Sequence, residues 1–200
     1  MANYTPESLA RYFNQRVQRY GPTIDALQWN SEFSQYVRYD VLFADLPKKS
    51  KTILDFGCGC GDLYHYLKVH AFELDYMGLD ISADMIVAAQ MAYPQGKFQC
   101  LSLDEVVSIK TFDVIVASGV FNLRMDRHSD YVIQTVKQLL SRATYEVRFN
   151  LLSNKIKKRS QSDRFVYVDG AEFQKQCSTF CDCRLVEGYL PQDVTFICSL

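Results

Sequence analysis

Long apolar runs are missing from these 200 residues; the longest extend over a few positions only, too short to cross a bilayer as a helix. The opening MANYTPESLARYF carries Glu7 and Arg11 and has no apolar centre, so it does not read as a secretory signal. A soluble, cytoplasmic protein with no membrane partner is expected. Charge of one sign is missing too: 22 Lys and Arg stand against 23 Asp and Glu, a formal net charge of −1, so no global field draws the chain to nucleic acid or to an anionic surface. Five prolines and nine glycines are too few for a collagen-like or low-complexity chain, and no fixed-period repeat is visible. Histidine is confined to His65, His70 and His128, in separate segments. The seven cysteines are an odd number in a chain without a secretory signal, which argues against a disulfide framework and for free thiols. Cys177, Cys181 and Cys183 lie close together, but zinc sites usually show two Cys pairs or Cys with nearby His. They are read as small buried thiols, and no metal is assigned.

What is present is a hydrophobic fraction of 48%. A chain of this length should bury about 70% of the surface its unfolded form exposes, so one sizeable core is expected. The expected organisation is one domain over 1–200, with a helical extension over 1–47 ahead of an α/β core over 51–200. Thr5-Pro6-Glu7 suits a helix start: a hydroxyl that caps, a proline with no N–H to waste, and a carboxylate facing the positive helix end. Leu9, Phe13, Val17 and Tyr20 then recur at helical spacing until Gly21-Pro22. A second helix, from about Asn30 to Leu46, is predicted to place Phe33, Tyr36, Val37, Val41 and Ala44 on its apolar side.

From Lys51 onward short apolar runs alternate with helical stretches. Thr52–Phe56, Tyr76–Asp80, Lys97–Leu101, Phe112–Ala117 and Tyr145–Leu152 read as strands, with helices over Asp62–Val69, Ala83–Tyr93 and Asp130–Arg142 between them. That order implies βαβ crossovers and a doubly wound, mostly parallel sheet. Arg184–Leu190 and Val194–Ser199, joined at Pro191-Gln192-Asp193, should pair antiparallel as a C-terminal hairpin at one edge.

The first strand of this core runs into Asp55-Phe56-Gly57-Cys58-Gly59-Cys60-Gly61-Asp62, a glycine turn that opens a helix. At the carboxyl ends of parallel strands such a turn lets backbone approach a ligand while helix N–H groups face its anionic part. A dinucleotide fingerprint places its third glycine five residues after the first; here that position is Asp62 and the third glycine is Gly61, which disfavours a nicotinamide oxidoreductase.

This D-x-G-x-G-x-G resembles the first motif of the class I methyltransferases that use S-adenosylmethionine. The resemblance extends to Gly78-Leu79-Asp80-Ile81-Ser82, where an acidic residue ends the next strand at the separation from which a carboxylate reaches ribose hydroxyls, and to Phe112–Ser118, which looks like the family's fourth strand. It covers roughly Thr52 to the C-terminus. It implies a Rossmann-like fold with S-adenosylmethionine as cofactor. Asp55 would brace the turn, and Gly57, Cys58, Gly59 and Gly61 would line the methionine part. Asp80 would take the ribose diol, Ile81 would flank the adenine, and Ser118 and Gly119 would lie under the sulfonium. Many members carry an acidic residue after the third strand; this chain reads Cys100-Leu101-Ser102-Leu103-Asp104, so Ser102 or Asp104 would stand in. Trp29, Gln35 and Arg38 resemble a subset of small bacterial members whose N-terminal extension closes as a lid over the cofactor, with Arg38 meeting the methionine carboxylate.

The implied activity is methyl transfer to a small-molecule acceptor. Tyr20, Trp29, Phe121 and Tyr189 are candidate walls of the acceptor pocket. No catalytic residue is assigned; Asp126, His128 and Tyr131 are candidate bases, with helix capping the competing role for Asp126 and His128. Lys155, Lys157, Lys158, Arg159 and Arg164 surround Asp163 after the fifth strand and could grip a phosphate-bearing substrate, although a solvated loop explains them as well. Ala117–Asn122 does not match the Asn/Asp-Pro-Pro-Tyr motif of nucleobase amino-methyltransferases, which disfavours a nucleic-acid acceptor. Two alternatives stay open: a catalytically inactive S-adenosylmethionine-binding interaction protein, and a methyltransferase acting on RNA or protein. Oligomeric state is not readable from the sequence.

Overall fold

The computed structural model describes residues 3–29, 31–106, 108–155 and 163–200. The apolar runs form one sheet in the order β3-β2-β1-β4-β5-β8-β7. Its strands are β1 (Lys49–Phe56), β2 (Glu73–Asp80), β3 (Phe98–Cys100), β4 (Phe112–Ala117), β5 (Ala143–Ser153), β7 (Asp182–Glu187) and β8 (Asp193–Ser199), with a two-residue β6 (Tyr167–Val168) on the end of β5. The strands from β1 to β5 are mutually parallel, and β8 lies antiparallel between β5 and β7, so the expected hairpin does form one edge. Central strands are buried on both faces, which is why Ile53, Leu54, Val114, Ile115 and Val116 read as unbroken apolar runs.

Helices cover both faces. On one side α2 (Glu32–Phe43), α3 (Asp62–Val69) and α4 (Ala83–Ala92) pack Leu42, Leu63, Leu67 and Ile86 against the sheet. On the other, α5 (Leu103–Val106), α6 (His128–Leu140) and α7 (Gly170–Cys177) bring Val106, Val132, Val136, Leu139 and Phe173. The N-terminal α1 (Pro6–Tyr20) packs against α4 of the first layer. Thr5 caps it through the Ser8 amide, as the Thr-Pro-Glu start predicted, and its Leu9 packs with Leu123 and Met125 from the loop after β4. No helix among the described residues is long and apolar enough to cross a membrane.

Two expectations are corrected. The second helix begins at the Ser31 cap, Asn30 lying outside the described residues, and it is rotated from the predicted face: Gln35, Arg38, Tyr39, Leu42 and Phe43 are buried while Phe33 is 73% exposed. Two polar residues, Gln35 and Arg38, occupy the inner face because each finds a partner there, the half-buried Asp62 and the buried Asp193, which apolar periodicity does not register. The helices α5 and α7 were not anticipated. α7 is started by an Asp169 cap that accepts from the Glu172 amide, in a stretch whose polar residues hide a thin stripe of Phe173 and Cys177.

Candidate active site

The turn after β1 is held by backbone. The N–H groups of Gly57 and Cys58 both donate to the Leu79 carbonyl of β2, at 2.7 and 2.9 Å. Gly57 and Gly59 adopt φ of +78° and +54°, conformations that favour glycine, and neither has room for a side chain. A Cβ on Gly57 would stand 2.4 Å from Val120 Cγ2, and one on Gly59 would stand 2.7 Å from Leu27 Cδ2. Asp80, at the end of β2, closes the arrangement: one carboxylate oxygen accepts from the Gly59 N–H at 2.9 Å, the other from the Ser82 N–H at 2.8 Å. Burial raises the Asp80 pKa, and those amides act against the rise. Asp55 faces elsewhere. Its carboxylate accepts from the Tyr76 hydroxyl at 2.7 Å, across the β1·β2 pair, and burial pushes its pKa up to about 7. The brace on the turn is therefore Asp80, with Asp55 bracing β1 to β2.

Beside the turn lies a cavity of about 470 Å³. Its floor is made at the carboxyl ends of four strands: Gly57–Gly59 after β1, Asp80 and Ile81 at β2, Leu101–Asp104 after β3, and Ser118–Val120 after β4. Its roof comes from the first forty residues, with Leu9 and Phe13 of α1, Leu27 and Trp29 of the connector, and Gln35 and Tyr39 of α2. Asn14 of α1 secures that roof, accepting from the Ser82 hydroxyl at 2.6 Å, while Gln18 donates to Asp84 at 2.7 Å. Asn150 of β5 accepts from the Gly119 N–H at 2.7 Å and so fixes the loop under Trp29, whose ring would be 2.6 Å from a Cβ on Gly119. Asn14 and Asn150 carry no sequence signal, since each acts through a partner far along the chain.

Most residues expected at the site do converge. Gly57, Cys58, Gly59, Asp80, Ile81, Ser102, Ser118 and Gly119 line the cavity, together with Asp104, Trp29 and Gln35. Asp55 and Gly61 support it from outside. Arg38 does not reach it. Its guanidinium forms a two-pronged pair with Asp193 of β8 at 2.7 and 2.8 Å, donates to the Ser34 carbonyl, and lies 4.6 Å from the centre of the Trp29 ring. With both partners buried, the donors meant for a cofactor carboxylate are spent on Asp193. Of the aromatic wall candidates only Trp29 lines the cavity. Phe121 is core, Tyr189 bonds Thr195, and Tyr20 lies against Arg16 and Arg19. Of the three candidate bases only Tyr131 does so. His128 accepts from the Met125 N–H, and burial lowers its pKa to about 4; Asp126 accepts from Asn3 on the surface. Neither caps α6, whose N-cap is Arg127. In the basic segment, Lys155 pairs with Glu187, while Lys157, Lys158 and Arg159 lie outside the described residues.

Residues 54–144, from β1 through the glycine turn and Asp80 to the start of β5, match the family described as a methyltransferase domain. A curated relative, "Putative methyltransferase Rv1506c" of Mycobacterium tuberculosis, is 28% identical over 137 residues, covering 66% of this chain and 78% of that protein. Over residues 54–144 the chain is similar to S-adenosylmethionine-dependent methyltransferases. Solved structures agree on the fold. Magnesium protoporphyrin IX methyltransferase (ChlM) from Synechocystis PCC 6803 with bound SAM superposes with a TM-score of 0.68 at 17% identity, over 100% of this chain and 99% of the other. The DhpI–SAM–HEP complex superposes with a TM-score of 0.71 at 17% identity, over the whole of both chains. The methyltransferase site here fits its cofactor, S-adenosylmethionine. Cβ-free backbone at Gly57 and Gly59, a buried carboxylate beside it, and a partly covered pocket of about 470 Å³ are what a nucleoside joined to an amino acid needs.

Proposed function

We propose that this methyltransferase acts on a small-molecule acceptor held between the end of β4 and α1, and that the cavity-lining residues hold S-adenosylmethionine. The observation that carries the reading is the roof: α1 and the connector fold over the strand ends, leaving a partly covered pocket of about 470 Å³, a size suited to a small molecule. Gly57, Cys58 and Gly59, in the turn shaped by Gly61, would meet the methionine part. Asp80 retains acceptor capacity beyond its two amide bonds and would take the ribose hydroxyls. Ile81 would flank the adenine. The Ser102 hydroxyl donates to Glu105 at 2.7 Å, which leaves its oxygen free to accept from the adenine amino group, with the Asp104 carboxylate beside it. Ser118 and Gly119 would lie under the sulfur.

The bound cofactor supplies a sulfonium whose methyl group is electrophilic enough for direct displacement. The chain's own contribution is alignment and exclusion of water. Leu9, Phe13, Leu27 and Trp29 give the roof an apolar lining, and Asn150 holds the Ser118-Gly119 loop at a fixed height through the Gly119 N–H. Tyr131 is the candidate base that reaches the cavity, yet burial raises its pKa, so at neutral pH its phenol stays protonated and serves to orient an acceptor rather than to take its proton.

The test is turnover with labelled S-adenosylmethionine and a cell extract split by size. Label should pass to the small-molecule fraction. Label confined to protein or RNA would overturn the small-acceptor reading, and tight S-adenosylhomocysteine binding with no transfer to any fraction would favour an inactive binding protein.

A further inference from the structure

Far from the cavity, at the β7 edge of the sheet, four of the seven cysteines gather. Cys177 is the last residue of α7, and Cys183 of β7 stands directly opposite Cys198 of β8. The Sγ atoms of these three, all buried, lie within 4.8 Å of one another, with Cys183 and Cys198 sulfurs 3.5 Å apart. Cys181, half-buried in the turn between α7 and β7, donates to the Cys177 carbonyl at 3.3 Å and shares a hydrogen bond with the Cys198 thiol. The spacing C-x3-C-x-C was visible in the sequence; the fourth cysteine, fifteen positions on, joins only through the β7·β8 register.

Three readings compete for such a cluster. Simple apolar packing explains one buried thiol well, but it gives no reason for sulfurs to face one another rather than carbon. A disulfide needs sulfurs about 2.05 Å apart and uses two of them, leaving the third and fourth unexplained. Tetrahedral zinc bound at about 2.3 Å sets its sulfur ligands about 3.8 Å apart, a value that the separations among the Cys177, Cys183 and Cys198 sulfurs bracket, while the Cys181 sulfur lies outside that group and would have to turn in from the Cys177 carbonyl. We propose that Cys177, Cys183 and Cys198, with Cys181 as the fourth ligand, form a structural zinc site that ties the end of α7 to the C-terminal hairpin. Binding is a ligand exchange without redox change: four thiols give four protons to solvent, and the cation takes four thiolate sulfurs. Protonation opposes binding, so affinity should weaken as pH falls.

The proposal is independent of the methyl acceptor and is tested on the intact chain. Protein kept reduced and exposed to Zn²⁺, then passed through a desalting column, should retain one equivalent of metal by elemental analysis. Titration of the metal-free protein with Co²⁺ should give the intense near-ultraviolet band of thiolate-to-cobalt charge transfer, saturating at one equivalent. Cys177→Ser and Cys198→Ser should lose the band, and Cys100→Ser, at an exposed thiol elsewhere, should keep it. Because the Co²⁺ titration uses the unaltered chain, it decides the matter even where a variant fails to fold. Absence of the band from the folded wild type, its survival in Cys177→Ser or Cys198→Ser, or a Cys183–Cys198 disulfide formed in air with no retained metal would each overturn the assignment.

Discussion

Asp80→Asn separates two jobs that one carboxylate performs. In the free protein each Asp80 oxygen accepts one backbone N–H, from Gly59 and from Ser82. An amide has a single acceptor oxygen, so one of those N–H groups would face the side-chain NH2 instead. Losing one charge-assisted bond costs about 1.5–3 kcal/mol. Against this, the substitution removes a buried charge whose pKa burial has raised, so the net loss should fall near the lower end, about 1.5 kcal/mol. For a chain of this size that is a fall in Tm of about 3–6 °C. The ribose contact is lost in addition, which should weaken S-adenosylhomocysteine by about tenfold to a hundredfold. Thermal unfolding reads the first job and titration calorimetry the second. If affinity stays within about twofold of wild type while Tm falls, Asp80 is a brace alone and the ribose assignment fails; an unchanged Tm would refute the bracing argument.

Three further outcomes are expected. The folded Asp55 carboxyl, at about 7, lies above its unfolded value near 4, so the folded state binds the proton more tightly and stability falls as pH rises from about 4 through 7, by roughly 4 kcal/mol at most. Asp55→Asn, which keeps an acceptor for Tyr76, should flatten that decline and exceed the wild-type Tm at pH 8; an unaltered slope between pH 5 and 8 would count against it. Arg38→Ala strands the buried Asp193 and should cost about 3–5 kcal/mol, whereas R38M/D193L should recover most of it and keep wild-type cofactor affinity; loss of affinity in the recovered double variant would restore Arg38 as a cofactor ligand. Gly119→Ala, at φ +74°, drives a methyl group into Trp29. Since Trp29 is the sole tryptophan, its emission should shift to the red and cofactor affinity should fall, and a spectrum identical to wild type would contradict the close packing.

How much of this was legible in the sequence depends on the range of each interaction. The floor of the site was readable because its determinants are local: glycines that relieve positive φ, and an acidic residue at a strand end, sit where backbone geometry alone demands them. The strand assignments succeeded for the same reason, an apolar run being its own signal. Arg38 failed because its partner is 155 residues away, and nothing near residue 38 announces that Asp193 will compete for it. The face of α2 failed with it, since buried polar residues invert the apolar pattern once they are paired. The role given to Asp55 went to Asp80 because both carboxylates flank the turn, and only the register of β1 against β2, which sets Tyr76 beside Asp55, chooses between them.

The pairing of Arg38 with Asp193 also bears on the order in which the molecule completes itself. A ribosome delivers α2 well ahead of β8, whose Asp193 lies 155 residues beyond Arg38, so α2 must wait, with a cation unclaimed, until that strand is available. Loop closure over that distance is slow to gain its reward. The seating of α2 is therefore a later event than that of α1, whose Asn14 and Gln18 find Ser82 and Asp84 far earlier in the chain, and a nascent chain stalled before Asp193 holds the glycine turn with only part of its cover secured.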